Sequence, residues 1–143
     1  GERVMNIDEI ENGVVIDHIS AGRSMDIYRY LKLDKLDCCV AIIKNVRSNR
    51  MGKKDIIKID ASFPVNLDTL GYIDPGITVN IIQNGKNVEK RKLELPERLV
   101  NIISCKNPRC ITSVEQEIDQ IFKLSDRESC TYKCAYCEAE RKR

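Results

Sequence analysis

The first 95 residues carry hydrophobic patterns whose period switches repeatedly between that of a strand and that of a helix. Short β-branched or alternating stretches predict strands, and apolar positions near a 3.6-residue period predict helices. In the longer predicted helix, the positions near helical spacing are Met25, Tyr28, Leu31 and Leu36. The predicted elements are, in order, strand 13–20, helix 21–36, strands 38–46 and 55–60, helix 65–72, and strands 77–82 and 88–95.

This order of elements predicts an α+β fold. The arrangement β-α-β-β-α-β is the split βαβ topology of a ferredoxin-like sandwich. Asn66 is a candidate N-cap for the second helix, because its side chain can accept a hydrogen bond from the first turn. The dipeptide Asn84-Gly85 predicts a type I′ hairpin, which would return the chain as an additional strand beside the sandwich.

The last 39 residues are distinguished by their cysteines. Five of the seven in the chain lie there: Cys105, Cys110, Cys130, Cys134 and Cys137. Pro96 cannot continue a regular ladder, so a boundary beside it is expected, with a first domain of residues 1–95 and a second of residues 96–143. Cys38 and Cys39 lie in an apolar run and are expected to be small buried hydrophobes.

Two short-spaced cysteine pairs predict a metal site in a small, β-rich, zinc-ribbon-like second domain. Cys105-x4-Cys110 and Cys134-x2-Cys137 can form two knuckles that place four thiolates about 2.3 Å from a zinc ion. A module this short seldom folds without a metal or disulfide staple, and a disulfide framework is the competing explanation. Four thiolates leave no open position, so the expected role of the ion is structural, and Cys130 is a surplus thiol.

Charge balance argues against a protein that binds nucleic acid in bulk or enters a membrane. The 143 residues hold 24 Lys plus Arg and 22 Asp plus Glu, for a net charge of +2. This balance is far from the basic excess of duplex-binding domains. No apolar run approaches the roughly 18 residues of a membrane helix, and no signal-peptide pattern opens the sequence, so a cytoplasmic protein is expected.

One local stretch departs from this balance. Residues 44–58 hold six basic side chains and a single acid, Asp55. Such a stretch can hold a small polyanion, and it can equally be a solvated strand and loop.

The sequence does not offer a convincing nucleophile or general base. His18 is the only histidine, and strand alternation would place Asp17 and His18 on opposite faces, where they make a poor acid–base couple. No phosphate-binding P-loop and no Gly-x-Ser-x-Gly elbow is present. A binding or regulatory chain is therefore expected. The alternatives are a zinc-ribbon nucleic-acid-binding protein and a free-standing small-molecule sensor or enzyme.

Five motifs, taken in order, resemble one family. They are Gly-Val-Val-Ile-Asp-His at 13–18, Met-Gly-Lys-Lys-Asp-Ile-Ile-Lys-Ile at 51–59, Thr-Val-Asn-Ile-Ile at 78–82, Leu-Pro-Glu-Arg at 95–98, and the Cys-x4-Cys…Cys-x2-Cys tail. Together they resemble the regulatory chain of aspartate carbamoyltransferase, an enzyme of pyrimidine biosynthesis, over residues 7–138. Residues 7–9, Gly85 and Asn87 depart from its best-known pattern, and Gly85 stands where some bacterial members carry an aromatic residue beside the base.

The resemblance implies an N-terminal allosteric domain that binds nucleoside triphosphates. The family pattern places Asp17 and Lys58 at the ribose and base, Lys90 at the phosphates, and Lys54 and His18 beside them. The backbone at two further positions would read the base edge, and three more side chains would complete the pocket. The full set is Ile10, Val15, Asp17, His18, Lys54, Ile56, Lys58, Asn80, Ile82 and Lys90. Independently of the resemblance, strand alternation puts Lys54, Ile56 and Lys58 on one face.

The resemblance also implies partners and cofactors. The chain would bind one structural Zn²⁺ ion through Cys105, Cys110, Cys134 and Cys137, form a regulatory-chain homodimer, and dock on the catalytic chain through its zinc domain. CTP, ATP and UTP are the implied effectors. The chain itself would carry no transferase activity.

Overall fold

The computed structural model describes residues 10–142, so positions 7–9 of the resemblance lie outside the described residues. The chain divides into two compact units, Gly1–Glu94 and Leu95–Arg143, one residue before the boundary expected at Pro96. Each unit has a β-sheet of its own.

The first unit is a five-stranded antiparallel sheet with two helices. Its elements are β1 (Gly13–Ser20), α1 (Ser24–Tyr30), a short 3₁₀ helix (Leu33–Lys35), β2 (Val40–Ser48), β3 (Gly52–Ile59), α2 (Leu67–Ile73), β4 (Thr78–Gln83) and β5 (Lys86–Lys92). The strand order is β2-β3-β1-β4-β5, with every neighbouring pair antiparallel. This order confirms the predicted ferredoxin-like sheet, and β5 is its hairpin extension.

One face of this sheet makes the core with the helices. Alternate residues of the central strands are buried there against α1 and α2. The buried cluster is Val14, Ile16, Ile19, Ile27, Leu31, Leu33, Ile57, Ile59, Leu70, Ile73, Ile77 and Val79. The predicted cap is confirmed, because Asn66 Oδ1 accepts a hydrogen bond of 3.1 Å from the Thr69 backbone N–H. The opposite face, which carries Val15, Lys54, Ile56 and Lys58, is here called the outer face.

The predicted helix 21–36 is wrong in its extent. The structure has a seven-residue α1 and a separate 3₁₀ helix, because Lys32 adopts a left-handed conformation with φ of 54°. Met25, predicted on the apolar side, is 41% exposed, whereas Ile27 is fully buried. A left-handed non-glycine residue ends a helix without any sequence signal of the usual kind.

The strands were placed correctly, but several of their ends differ. β3 begins at Gly52 instead of residue 55, because the pair Ser48 and Gly52 continues the β2–β3 ladder almost to the hairpin turn. β5 covers residues 86–92 instead of 88–95, and every residue in it is exposed, so no hydrophobic face marked its ends. The predicted β4–β5 turn is confirmed, with Asn84 at φ 52° and Gly85 at φ 75°.

The prediction that Cys38 and Cys39 are both buried is wrong. Cys38 is half-buried and packs against the core, but Cys39 is exposed. The two residues precede β2, where the backbone N–H of Asp60 bonds to the Cys39 carbonyl. Neighbouring residues of extended chain point to opposite sides, so only one of an adjacent pair can face the core.

The second unit is a four-stranded antiparallel sheet with one short helix. Its elements are β6 (Arg98–Val100), α3 (Ile111–Val114), β7 (Ile121–Asp126), β8 (Thr131–Cys134) and β9 (Glu140–Lys142), in sheet order β6-β7-β8-β9. Its small core contains Leu99, Ile103, Phe122 and Tyr132. Across residues 10–142, none of the helices has the length and apolar character needed to cross a membrane.

Candidate functional site

A bulge in β1 brings Asp17 and His18 onto the same side of the sheet. Ile16 pairs with Ile57 and Ile19 pairs with Asp55, so two residues of β1 oppose only Ile56 of β3. His18 has a φ of 58°, and both Asp17 and His18 are half-buried while their neighbours at 16 and 19 are fully buried. The expectation of opposite faces is therefore wrong, because a bulge interrupts the alternation on which it rested.

Four of the predicted contact residues form one row across the outer face. Val15 pairs with Lys58 on one side and with Asn80 on the other, and Asn80 in turn pairs with Lys90. Directly opposed residues of antiparallel strands share a face, so these side chains lie side by side over β3, β1, β4 and β5. Asn80 Oδ1 also accepts a hydrogen bond of 2.9 Å from Asn87 Nδ2. The two ends of the row are lysines, Lys58 in β3 and Lys90 in β5.

A second group of charges lies further along the same strands. Lys54 Nζ lies 2.9 Å from Asp17 Oδ1, and both side chains are largely buried, with 16% and 22% exposed. His18 Nδ1 lies 3.2 Å from Thr78 Oγ1, and Thr78 pairs with Asp17 across the β1–β4 ladder. The structure thus gathers a carboxylate, an imidazole and an ammonium group on one patch.

The charges of this patch shift the pKa values of its members. Burial raises the pKa of Asp17, but the Lys54 ammonium and the backbone N–H of His18 outweigh it, so that pKa lies below its usual range. The pKa of His18 is lowered, first by burial and then by nearby cations that include Lys90. His18 is therefore neutral at pH 7, and Asp17 is ionised.

The remaining predicted positions lie toward the other end of the sheet. Ile82 pairs with Gly13 at the start of β1, and a methyl carbon of Ile10 lies 2.8 Å from the place that a β-carbon on Gly13 would occupy. The β4–β5 hairpin is tied to the same segment, because the Gly85 N–H donates to the Glu11 carbonyl at 2.9 Å. Ile10 and Ile82 are thus neighbours of one another through Gly13, well away from the charged patch along β1.

Arg50 was not among the predicted contact residues. It lies in the turn between β2 and β3, and its charge acts on His18 together with Lys54 and Lys90. Arg50 belongs to the basic stretch 44–58 noted in the sequence. The sequence alone did not show which cations of that stretch lie close enough to His18 to act on it.

The four predicted metal ligands form one cluster in the second unit. The Sγ atoms of Cys105, Cys110, Cys134 and Cys137 all lie within 4.8 Å of one another. Cys105 Sγ is 3.6 Å from Cys137 Sγ, and Cys110 Sγ is 3.7 Å from Cys134 Sγ. A tetrahedron with metal–sulfur bonds of about 2.3 Å has edges of about 3.8 Å, so these distances suit a tetrahedral ion. Cys130 is not part of the cluster.

Backbone hydrogen bonds shape the two knuckles that present these thiols. In the first, the Cys110 N–H bonds to the Asn107 carbonyl at 3.1 Å, and α3 begins immediately afterwards. In the second, the Cys134 N–H bonds to the Ala139 carbonyl at 3.0 Å, and the Glu138 N–H bonds back to the Cys134 carbonyl. The turns hold the sulfur atoms together at the edge of a small sheet.

The thiols differ in how readily they lose a proton. The Thr112 side chain is the main cause that lowers the pKa of Cys110 to about 6, and the Ala139 backbone N–H is the main cause that lowers the pKa of Cys137. Burial raises the pKa of Cys105 to about 12. A bound cation would therefore have to displace the proton of Cys105, as metals do at coordinating thiols.

Two family models match the chain, one for each unit. The first is described as the aspartate carbamoyltransferase regulatory chain, allosteric domain, and matches residues 5–94. The second is described as the metal binding domain of the same regulatory chain and matches residues 97–143. Neither describes a nucleic-acid-binding protein, so the zinc-ribbon alternative gains no support.

Curated relatives extend over almost the whole chain. A protein of Clostridium botulinum (strain Hall) is 49% identical over 135 residues, which cover 94% of this chain and 92% of the relative. One of Clostridium tetani is 48% identical over 136 residues, 94% of each chain. One of Bifidobacterium longum is 44% identical over 138 residues, which cover 96% of this chain and 99% of the relative. All three are named aspartate carbamoyltransferase regulatory chain.

Proposed function

The chain belongs to the family of aspartate carbamoyltransferase regulatory chains, and from this premise we propose that the outer face of its first unit binds nucleoside triphosphates. The expected ligands are CTP, ATP and UTP. The observation that carries the proposal is the convergence of Asp17, His18, Lys54, Lys58 and Lys90 from three strands on one face.

The chemistry of these groups suits a triphosphate. Ammonium groups act as compact point charges toward phosphate oxygens, and a carboxylate can accept hydrogen bonds from both ribose hydroxyls. Lys54 is already paired with Asp17 at 2.9 Å, so a ligand that contacts both groups would compete with this ion pair. Lys90 is exposed and lies opposite Asn80, where it can reach phosphate without giving up such a pair.

The base is expected toward the Gly13 end of the sheet. Ile10 and Ile82 both lie beside Gly13 there and offer backbone groups, and Val15, Ile56 and Asn80 lie between them and the charged patch. Gly85 offers backbone only, so discrimination between bases would depend on main-chain hydrogen bonds.

The second unit binds a structural metal ion through its four cysteines, and we assign this ion as Zn²⁺. Four thiolates at tetrahedral distances form a closed site typical of structural zinc. The ion would hold the knuckles in the shape that docks on the catalytic chain, and Cys105, Cys110, Cys134 and Cys137 would bind it and keep water out.

The regulatory role requires that nucleotide binding reach a catalytic chain. We propose a homodimer of regulatory chains in which the first unit senses the nucleotide and the second contacts the catalytic partner. Coupling free energies for such effectors are about 1–3 kcal/mol, which corresponds to roughly 5- to 150-fold changes in affinity. The nucleotide must bind more tightly to one of two quaternary states for this coupling to exist.

The deciding experiment is a calorimetric titration of CTP and of ATP into the zinc-loaded protein and two variants. Lys90→Ala removes a cation from the outer face, and we expect affinity for both nucleotides to fall about tenfold, since a hydrogen bond to a charged group contributes about 1.5–3 kcal/mol. Arg91→Ala is the matched control, because Arg91 pairs with Glu89 at 2.5 Å and faces the other way. Equal affinities of wild type and Lys90→Ala would contradict the assignment.

A further inference from the structure

Thr112 is a buried hydroxyl residue beside a metal ligand. It lies in α3, two residues after Cys110, and only 4% of it is exposed. Its Oγ1 is 3.1 Å from Cys110 Sγ, and Cys110 is also buried, with 2% of the residue exposed. A hydroxyl withdrawn from water needs a hydrogen-bond partner inside the protein, and the cysteine sulfur provides it.

The direction of this hydrogen bond follows from the chemistry of the two groups. A cysteine bound to a metal is a thiolate and has no proton to give, whereas a hydroxyl always has one. In the metal-loaded chain, Thr112 must therefore be the donor and Cys110 the acceptor. Hydrogen bonds to an ionised acceptor are stronger than neutral ones, and this one withdraws charge from a set of four anions facing a dication.

Gln120 connects Thr112 to a second ligand of the same knuckle. Its Nε2 donates to the Thr112 carbonyl at 3.3 Å, and its Oε1 accepts from the Cys105 backbone N–H at 3.0 Å. Only one orientation of the amide satisfies both contacts, because one partner is an acceptor and the other a donor. Three hydrogen bonds thus link Cys110 to Cys105 by a path that does not pass through the metal.

We propose that Thr112 is a positioning residue of the metal site. Its hydroxyl fixes the direction of the Cys110 sulfur and stabilises the thiolate, and Gln120 holds Thr112 and Cys105 in the matching arrangement. This role depends on the metal site alone and is independent of nucleotide binding. Partners that orient metal ligands in this way typically change metal affinity by about 10- to 100-fold when they are removed.

The test compares three variants of the full chain. Thr112→Val keeps the shape of the side chain and removes the donor, and Thr112→Ser keeps the donor. Thr131→Val is the matched control, because Thr131 is also 4% exposed in the same unit, but its hydroxyl contacts Ser129 at 2.6 Å. Zinc affinity is measured by competition with a chromophoric chelator. The thiolate-to-metal charge-transfer band is measured after substitution with Co²⁺.

We expect Thr112→Val to bind zinc about tenfold more weakly and to shift the cobalt band to longer wavelength, since a thiolate without its donor releases an electron more easily. Thr112→Ser should restore both values, and Thr131→Val should match wild type in both. An unshifted band in Thr112→Val would overturn the proposal, as would equal zinc losses in Thr112→Val and Thr131→Val. If Thr112→Val holds no metal at all, Thr112→Ser decides: recovery supports the hydroxyl, and failure to recover excludes it.

Discussion

His18 illustrates how a single backbone irregularity can place a titrating group on the proposed binding surface. Its left-handed conformation turns the imidazole away from the core, to where Thr78 meets it. Burial and the charges of Lys54, Arg50 and Lys90 lower its pKa, although Asp17 acts in the opposite direction. With this lowered pKa the imidazole is neutral near pH 7, yet it stands among cations that a polyanion would neutralise.

Triphosphate binding should therefore be accompanied by proton uptake at His18. A bound anion raises the lowered pKa of the imidazole, so affinity should increase as the pH falls from 7.5 toward 6. Calorimetry in two buffers of different ionisation enthalpy measures the number of protons taken up. Because the terminal phosphate titrates near the same pH, the comparison that matters is with His18→Asn, in which the uptake should be smaller. Identical uptake in both proteins would exclude His18 as the group.

Asp55 is a fully buried carboxylate in the first unit, and it should be important for stability. Its oxygens accept hydrogen bonds from the Gly22 N–H at 3.1 Å and the Asn45 N–H at 3.0 Å. Burial raises its pKa, but hydrogen bonds from Ser24, Asn45 and Gly22 outweigh this effect and lower the pKa below its usual range. The stabilisation is therefore present above pH 4 and is lost as the pH falls through the lowered value.

We expect Asp55→Asn to lower the free energy of unfolding by about 1–3 kcal/mol at pH 7, because the amide leaves a buried N–H with a poorer acceptor. Urea titrations at pH 7 and pH 3 measure the effect, and the difference from wild type should shrink at the lower pH. Asp60→Asn is a suitable control, since residue 60 is exposed at the end of the same strand. A variant as stable as wild type at pH 7 would contradict this role.

At the scale of the elements, the close approach of β1 and β3 at Gly13 should be sensitive to a single methyl group. A β-carbon at Gly13 would lie 2.2 Å from the Ile59 carbonyl oxygen and 2.8 Å from a methyl of Ile10. The carbonyl is backbone and cannot rotate away, so Gly13→Ala should destabilise the first unit by about 1–3 kcal/mol. Gly76→Ala, where the nearest atom is an Asp74 side-chain oxygen at 3.3 Å, should cost less. Thermal unfolding measures the effect, and the midpoint temperature should fall further for Gly13→Ala than for Gly76→Ala.

The same strands show what the sequence could and could not predict. Alternation correctly placed Lys54, Ile56 and Lys58 together, because β3 itself runs without a break between two bulged neighbours. Asp17 and His18 were misplaced, since a bulge depends on the pairing of two strands and leaves no mark in one of them. The predicted extent of the first helix, 21–36, was wrong for a similar reason, as nothing in its pattern requires the left-handed residue Lys32.

The metal centre was predictable to a greater depth than the sheet. Cysteine spacing selected the same four thiols that the structure brings together and left Cys130 outside. Thr112 and Gln120 were not predicted, because a threonine after a cysteine and a glutamine fifteen positions further along from Cys105 are unremarkable in sequence. Ligands follow from local spacing, whereas the groups that orient them depend on how distant segments meet.

At the scale of the whole molecule, the two units differ in what stabilises them. The first buries a large aliphatic cluster between sheet and helices. The second, which begins at Leu95, has a core of few large side chains, with Phe122 and Tyr132 at its centre. Tyr132 also donates a hydrogen bond of 2.6 Å to the Pro96 carbonyl, tying the start of the unit to its sheet. So small a core leaves folding of the second unit dependent on the metal.

Removal of the metal should therefore unfold the second unit and spare the first. Structural zinc contributes about 10 kcal/mol or more to small domains, far above what this core can replace. In amide correlation spectra of the chelated chain, signals of residues 10–94 should stay dispersed while those of residues 95–142 collapse. The chelated chain should still bind CTP but no longer retain the catalytic chain. Cys137→Ser should behave like the chelated protein and Cys130→Ser like wild type, because Cys137 belongs to the cluster and Cys130 does not. A second unit that stays folded without metal would show that its hydrophobic core alone is sufficient.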